Sequence, residues 1–90
     1  MIDELRAFSL NAMTMMNYDV SDVTDDTPLG PAGIDLESLG IAELGLRLQD
    51  QYGVVLADEE LEKMAYLTFG DFLADVAVRV ELVRAGGQAA

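Results

Sequence analysis

Apolar residues recur at helical spacing in three separate segments of this chain, and this pattern constrains the fold more than any other feature. In the first segment it predicts a helix from Ile2 to about Met16, with Asp3 and Glu4 in the first turn, where negative charge is favoured. The residues expected on the buried face of this helix are Ile2, Leu5, Phe8, Ala12 and Met16.

The second segment predicts a helix from Ser38 to about Tyr52, ended by Gly53 as a C-terminal glycine. Asp58 is placed to cap a short third helix that continues to about Met64. The residues expected on the core face of the second helix are Ile41, Leu44, Leu48 and Tyr52.

The last helix has a start signal in the run Thr68-Phe69-Gly70-Asp71, which has the form of a capping box. Its buried stripe is expected to comprise Phe69, Phe72, Leu73, Val76 and Val80. Together the segments predict an all-α fold, a four-helix antiparallel bundle of three main helices plus a short third helix, with a long first loop. The predicted domain spans residues 1–85, and residues 86–90 are expected to form a flexible tail.

Residues 17–37 show no sustained period and are rich in Asp, Thr, Gly and Pro. A long irregular segment is unusual inside a compact domain and is often functional. Its acidic run, residues 19–26, does not match a calcium-binding loop because Thr24 stands where glycine is needed, so we predict no metal site. The apolar residues expected to fix this loop against the core are Val20, Val23, Leu29 and Ile34.

The formal net charge of the chain is −12, from 17 acidic and 5 basic side chains. This charge argues against nucleic acid and anionic membranes as partners and favours basic patches on other proteins. The chain has no cysteine and no histidine, so it lacks a thiolate nucleophile and the commonest general base, and we predict that it is not an enzyme. It shows no signal peptide and no apolar stretch near the ~18 residues of a membrane helix, which predicts a cytoplasmic location.

Ser38 carries a hydroxyl at the predicted start of the second helix, and acidic residues lie on both sides of it in the sequence. A helix N-terminus offers free backbone N–H groups and the positive end of the helix dipole, so it tolerates an attached phosphate. Ser38 is therefore a candidate attachment point for a phosphate-linked group. The alternative is that Ser38 is only the N-cap of the helix, since serine is a favoured cap residue.

A second apolar stripe runs along the second helix, roughly opposite its predicted core face. It comprises Leu39, Ala42 and Leu46, and it is bordered by Glu43 and Asp50. An apolar stripe rimmed by acids on the side away from the core favours a docking surface for another protein. Two alternatives are that the acids are simply solvated and that part of the stripe lies beneath the long loop.

The order of several motifs resembles the acyl carrier protein family over nearly the whole chain. The family's Asp-Ser-Leu motif and recognition helix resemble Ser38-Leu39, then Glu43-Leu44, then Gln-Tyr-Gly-Val at 51–54. The family's acidic first loop resembles residues 23–29, and its short third helix resembles residues 58–64.

The resemblance implies a discrete carrier that is modified on Ser38 by 4′-phosphopantetheine and holds acyl intermediates as thioesters for polyketide or fatty acid biosynthesis. A phosphopantetheinyl transferase would donate this arm from coenzyme A, using its own magnesium ion. Further partners of the monomeric carrier would be an acyltransferase or other acyl-loading enzyme and ketosynthase-type enzymes with basic docking patches. The residues expected to contact these partners are Asp35, Glu37, Leu39, Ala42, Glu43, Leu46 and Asp50.

The chain departs from the family pattern at three places. Glu37 precedes Ser38 where the family usually has aspartate, and about two residues are inserted before the serine, with Asp35 as a second acid. Gly40 and Gln49 stand where housekeeping fatty-acid carriers usually show acids, which favours a carrier from a specialised polyketide-type pathway. Two alternatives are an aminoacyl or peptidyl carrier loaded by an adenylating enzyme and an unmodified acidic helical adaptor that binds a basic protein surface.

Overall fold

Four α-helices make up the computed structural model of the chain, which describes residues 1–86. They are α1 (Ile2–Met15), α2 (Ser38–Tyr52), α3 (Asp58–Met64) and α4 (Phe69–Arg84). The predicted all-α bundle is confirmed, and none of the described residues belongs to a β-strand. Residues 87–90 of the predicted tail lie outside the described residues.

The ends of the helices follow from local chemistry. Gly53 adopts the left-handed conformation, with φ of 73°, and its N–H donates to Gln49 O at 2.8 Å, which ends α2 as predicted. At the start of α4 the Thr68 hydroxyl accepts the Asp71 N–H at 3.2 Å, which is one of the two hydrogen bonds of the predicted capping box.

Two predicted boundaries need correction. Asp58 does not cap α3, because the chain turns helical one residue earlier than expected and Asp58 is already inside the first turn. Ala57 is the N-cap, and the Glu60 carboxylate reaches back to accept its N–H at 3.1 Å. Helix α1 ends at Met15, one residue before the predicted end, with Met16 as its C-cap.

The core lies where α1 packs against α2 and α4, and where α2 packs against α3. The predicted buried stripe of α4 and three of the four predicted core residues of α2 are buried. Tyr52 is instead half-buried, because its ring meets Phe8 edge to face at the margin of the core, with ring centroids 5.5 Å apart. Of the residues predicted on the buried face of the first helix, Leu5 and Ala12 are buried, whereas Ile2, Phe8 and Met16 are only half-buried. Ser9 and Met13 are fully buried.

The long loop, residues 17–37, contacts the bundle through apolar side chains, backbone hydrogen bonds and an ion pair. Leu29 and Ile34 are buried as predicted, while Val20 and Val23 pack half-buried against the core. Where α3 meets α4, Thr27 O accepts the Phe69 N–H and Asp25 O accepts the Gly70 N–H, both at 2.8 Å. On α1 the Arg6 guanidinium donates hydrogen bonds to both Asp25 carboxylate oxygens, at 3.0 and 2.8 Å, and this lowers the pKa of Asp25.

Candidate functional site

Ser38 is the first residue of α2, and Glu37 is the residue that caps the helix. Glu37 O accepts the first intrahelical hydrogen bond, from Ile41 N–H at 2.9 Å. The Ser38 side chain is exposed and its hydroxyl makes no capping hydrogen bond. The N-cap alternative for Ser38 is therefore wrong, because a capping oxygen must precede the helix to reach its second or third N–H.

The backbone N–H groups of residues 38–40 form the free end of α2. They have no hydrogen-bond acceptor among residues 1–86. Three such donors, together with the positive end of the helix dipole, favour a negative group beside Ser38. The exposed hydroxyl thus lies where an attached phosphate would be stabilised by the backbone.

A turn formed by residues 28–36 fixes where α2 begins. Carbonyl oxygens of residues 28–30 accept hydrogen bonds from N–H groups of residues 33–36, at 2.8–3.0 Å. Asp35 has φ of 62°, a left-handed conformation that aspartate tolerates better than most residues, and this lets Ile34 and Leu36 both enter the core. The predicted contact residues Asp35 and Glu37 remain exposed on the solvent side of the turn.

Gly33 is required by the tightness of this turn. A Cβ at Gly33 would overlap the Pro28 carbonyl oxygen and would lie 2.8 Å from Thr27 Cγ2. The absence of a side chain therefore lets the chain fold back on itself just before the helix that carries Ser38.

Tyr18 packs against the first turn of α2, at Gly40. Asn17, with φ of 71°, turns the chain at the end of α1 and directs Tyr18 toward α2. A Cβ at Gly40 would overlap the Tyr18 hydroxyl oxygen and would lie 3.0 Å from Tyr18 Cζ. This contact is a physical reason for glycine at position 40, where an acidic side chain would have to displace the tyrosine.

A cleft of about 670 Å³ opens between α2 and α3, and Ser38 lies on its lining. Its apolar lining comes from Leu36, Ile41 and Leu61. Leu61 can approach α2 closely because Gly45 faces it: a Cβ at Gly45 would lie 3.2 Å from both Leu61 methyl groups. The remaining residues that line the cleft are Ala42, Asp58, Glu62, Lys63, Ala65 and Tyr66.

The predicted docking surface, formed by Leu39, Ala42, Glu43, Leu46 and Asp50, is largely open to solvent. Leu39 is 83% exposed and Leu46 is 61% exposed, so the stripe does not lie beneath the long loop. Ala42 is half-buried at the edge of the cleft, while Glu43 and Asp50 are exposed. Two solvent-exposed leucines on a helix that buries its other face favour an interaction surface.

Glu43 is not a free carboxylate on this surface. Arg47, four residues later on α2, donates to Glu43 Oε2 from Nε at 3.1 Å and from an Nη at 2.9 Å. The pairing alternates charge along the exposed face, so a basic partner would compete with Arg47 for the carboxylate. Spacing of four residues between opposite charges is visible in the sequence and could have indicated the pair.

Sequence reasoning missed three residues of the site. Tyr18 and Gly45 act through close packing against partners distant in the sequence, which no local pattern indicates. Lys63 lines the cleft with Ser38, and its signal is present in the sequence as the single lysine of the chain.

Residues 1–86 contain no group of three or more acidic side chains placed to hold a metal ion. Among the helices of this described part, none has the length and apolar character needed to cross a membrane. Comparison of the chain with protein-family models, with curated proteins and with solved structures found no match.

Proposed function

We propose that this chain is an acyl carrier protein that holds acyl groups as thioesters on a 4′-phosphopantetheine arm attached to Ser38. The observation that carries the proposal is the Ser38 hydroxyl, which is exposed and makes no capping hydrogen bond. It lies at the first position of α2, on the lining of the α2–α3 cleft. The ordered motifs that resemble the carrier family support the same assignment.

The residues around Ser38 fit an arm joined through a phosphodiester. The free N–H groups of residues 38–40 can donate to its phosphate oxygens, and the helix dipole favours its negative charge. Leu36, Ile41 and Leu61 supply apolar surface next to the attachment point. When bound, the arm supplies the thiol that a chain without cysteine lacks.

The exposed side chains of Ser38 and Leu39 are adjacent at the start of α2, so an enzyme that reaches the hydroxyl also meets this leucine. Leu46 extends the apolar stripe two turns further along the helix. Asp50 adds negative charge beside it, and Glu43 adds a carboxylate for which a basic partner competes with Arg47. Such charges suit basic docking patches and govern orientation and association rate. The proposed partners are a phosphopantetheinyl transferase, an acyl-loading enzyme and ketosynthase-type enzymes.

A second candidate function is an unmodified adaptor that binds a basic protein surface. It is favoured by the exposure of Leu39 and Leu46 and by the net charge of −12. An adaptor function gives no role to the exposed hydroxyl of Ser38, which makes no capping hydrogen bond. Covalent modification therefore separates the two functions.

The test is intact-protein mass spectrometry after incubation with coenzyme A and a broad-specificity phosphopantetheinyl transferase. We expect the wild type to gain one phosphopantetheine group and Ser38→Ala to gain none. Ser21→Ala is the matched control, because Ser21 is an exposed serine of the long loop, and it should be modified like the wild type. An unmodified wild type, or a gain that persists in Ser38→Ala, would refute the carrier function.

The docking surface is tested with the same transferase by measuring the KM for the unmodified protein. Leu39→Ala should raise the KM about tenfold, as for truncation of an interface anchor. Leu82→Ala is the control, because Leu82 is an exposed leucine on α4, 52% exposed, and its KM should match the wild type. Equal KM values for all three folded proteins would show that this surface is wrongly assigned.

A further inference from the structure

Lys63 differs from three of the four arginines of the chain by its lack of a carboxylate partner. Arg84, the fourth, likewise has no acidic oxygen within 4.0 Å among residues 1–86, but it does not line the α2–α3 cleft. Arg6 pairs with Asp3 and Asp25, at 2.6 and 2.8 Å. Arg47 and Arg79 are likewise held, Arg47 by Glu43 and Arg79 by both Glu60 and Asp75. Lys63 has no acidic oxygen within 4.0 Å among residues 1–86, although 17 of the 90 residues of the chain are acidic.

The lysine lies on the same cleft as the proposed attachment point. Ser38 lines this cleft from α2 and Lys63 lines it from α3. Lys63 is the single basic residue of the lining, whereas Asp58 and Glu62 contribute two acids. Neither of these acids forms an ion pair with the lysine, so its ammonium group is available to another anion.

The chemistry of a lysine side chain suits this position. Its ammonium group is a compact charge with three donors on a flexible four-carbon stem, so it can reach an anion without a fixed geometry. The backbone N–H groups of residues 38–40 approach an anion at Ser38 from the helix side. Lys63 lines the same cleft from α3, the helix that faces α2 across it.

We propose that Lys63 is the counter-ion of the phosphodiester formed on Ser38, and that it holds the base of the attached arm toward the α2–α3 cleft. This inference rests on the proposed function, since it concerns the anion that modification creates. Asp58 and Glu62 on the same lining repel the anion, so its position on this cleft depends on the attraction of Lys63, the single cation of the lining.

The test compares four proteins carrying the arm: the wild type, Lys63→Gln, Lys63→Arg and Arg84→Gln. The phosphorus resonance of the phosphodiester is recorded by ³¹P NMR in low salt and again in 0.5 M salt. In low salt we expect Lys63→Gln to shift the resonance and to increase phosphate mobility, whereas Lys63→Arg should stay close to the wild type. Arg84→Gln removes an arginine that does not line the cleft and should match the wild type. High salt should move the wild-type resonance toward that of Lys63→Gln.

A second measurement is the change in Tm on modification. Loss of an exposed ion pair predicts that the arm raises the Tm of the wild type by about 1–5 °C more than it raises that of Lys63→Gln. Identical phosphorus shifts, mobilities and Tm changes in the wild type and Lys63→Gln would overturn the role of Lys63. That result differs from failure of the proposed function, in which none of the four proteins gains the mass of the arm.

Discussion

Replacement of Gly40 by alanine tests whether close packing by Tyr18 is the reason for glycine at this position, two residues after Ser38. The new Cβ would overlap the Tyr18 hydroxyl oxygen, and would lie 3.0 Å from Tyr18 Cζ and 3.3 Å from Leu36 Cδ2. Overpacking of this kind costs about 1–3 kcal/mol of unfolding free energy. Against this, alanine stabilises a helix by up to about 1 kcal/mol relative to glycine. The net expectation for Gly40→Ala is a loss of about 0–2 kcal/mol.

The same substitution should have the opposite sign once the tyrosine is removed. In a Tyr18→Ala background the overlap disappears, so Gly40→Ala should gain up to about 1 kcal/mol from helix propensity. The coupling free energy between the two sites is then about 1–3 kcal/mol. Urea unfolding of the wild type, both single variants and the double variant measures it. If Gly40→Ala changes the unfolding free energy by the same amount in both backgrounds, the packing explanation is wrong.

Three further predictions concern stability. Ser9→Ala should raise the unfolding free energy by about 1 kcal/mol, because the Ser9 hydroxyl is fully buried without a hydrogen-bond partner among the described residues; a loss in urea unfolding would contradict this. The pKa of Glu60 is lowered by the backbone N–H at the start of α3 and by Arg79, so its stabilising contribution is present above the ordinary pKa of 4.5 and lost as the pH falls through the lower native value. The difference in Tm between the wild type and Glu60→Gln should therefore shrink toward acid pH, and a constant difference would exclude this origin. Gly33→Ala should lose about 1–3 kcal/mol in urea unfolding because its Cβ overlaps a backbone carbonyl oxygen, whereas Gly30→Ala, with its nearest atom at 3.5 Å, should change little; equal effects would rule out the tight turn as the cause.

The sequence predicted the helices well because their signals are local. The start of α2 at Ser38 and its end at Gly53 depend on apolar spacing and on one residue that readily adopts positive φ. The start of α4 depends on an N-cap hydrogen bond between Thr68 and Asp71, within four consecutive residues. The cap of α3 was the exception, because an exposed acid in the first turn and an acid at the cap look alike in sequence.

The sequence was a weaker guide to which residues of α1 are buried. Apolar spacing favoured Phe8 and Met16, whereas the packing of α1 against α2 and α4 buries Ser9 and Met13 instead. Period alone cannot choose between neighbouring positions on a helix face, because the choice depends on where the other helices lie.

By itself the sequence determined the helical segments, the acidic charge and the choice of Ser38 as the candidate attachment point. All three follow from residue types and their spacing along the chain. Only the tertiary structure decided that the Ser38 hydroxyl caps nothing, that Leu39 and Leu46 are bare, and that Lys63 shares a cleft with the serine. These properties depend on how α2, α3 and the long loop meet in space, and contacts between distant segments leave no periodic signal in the chain.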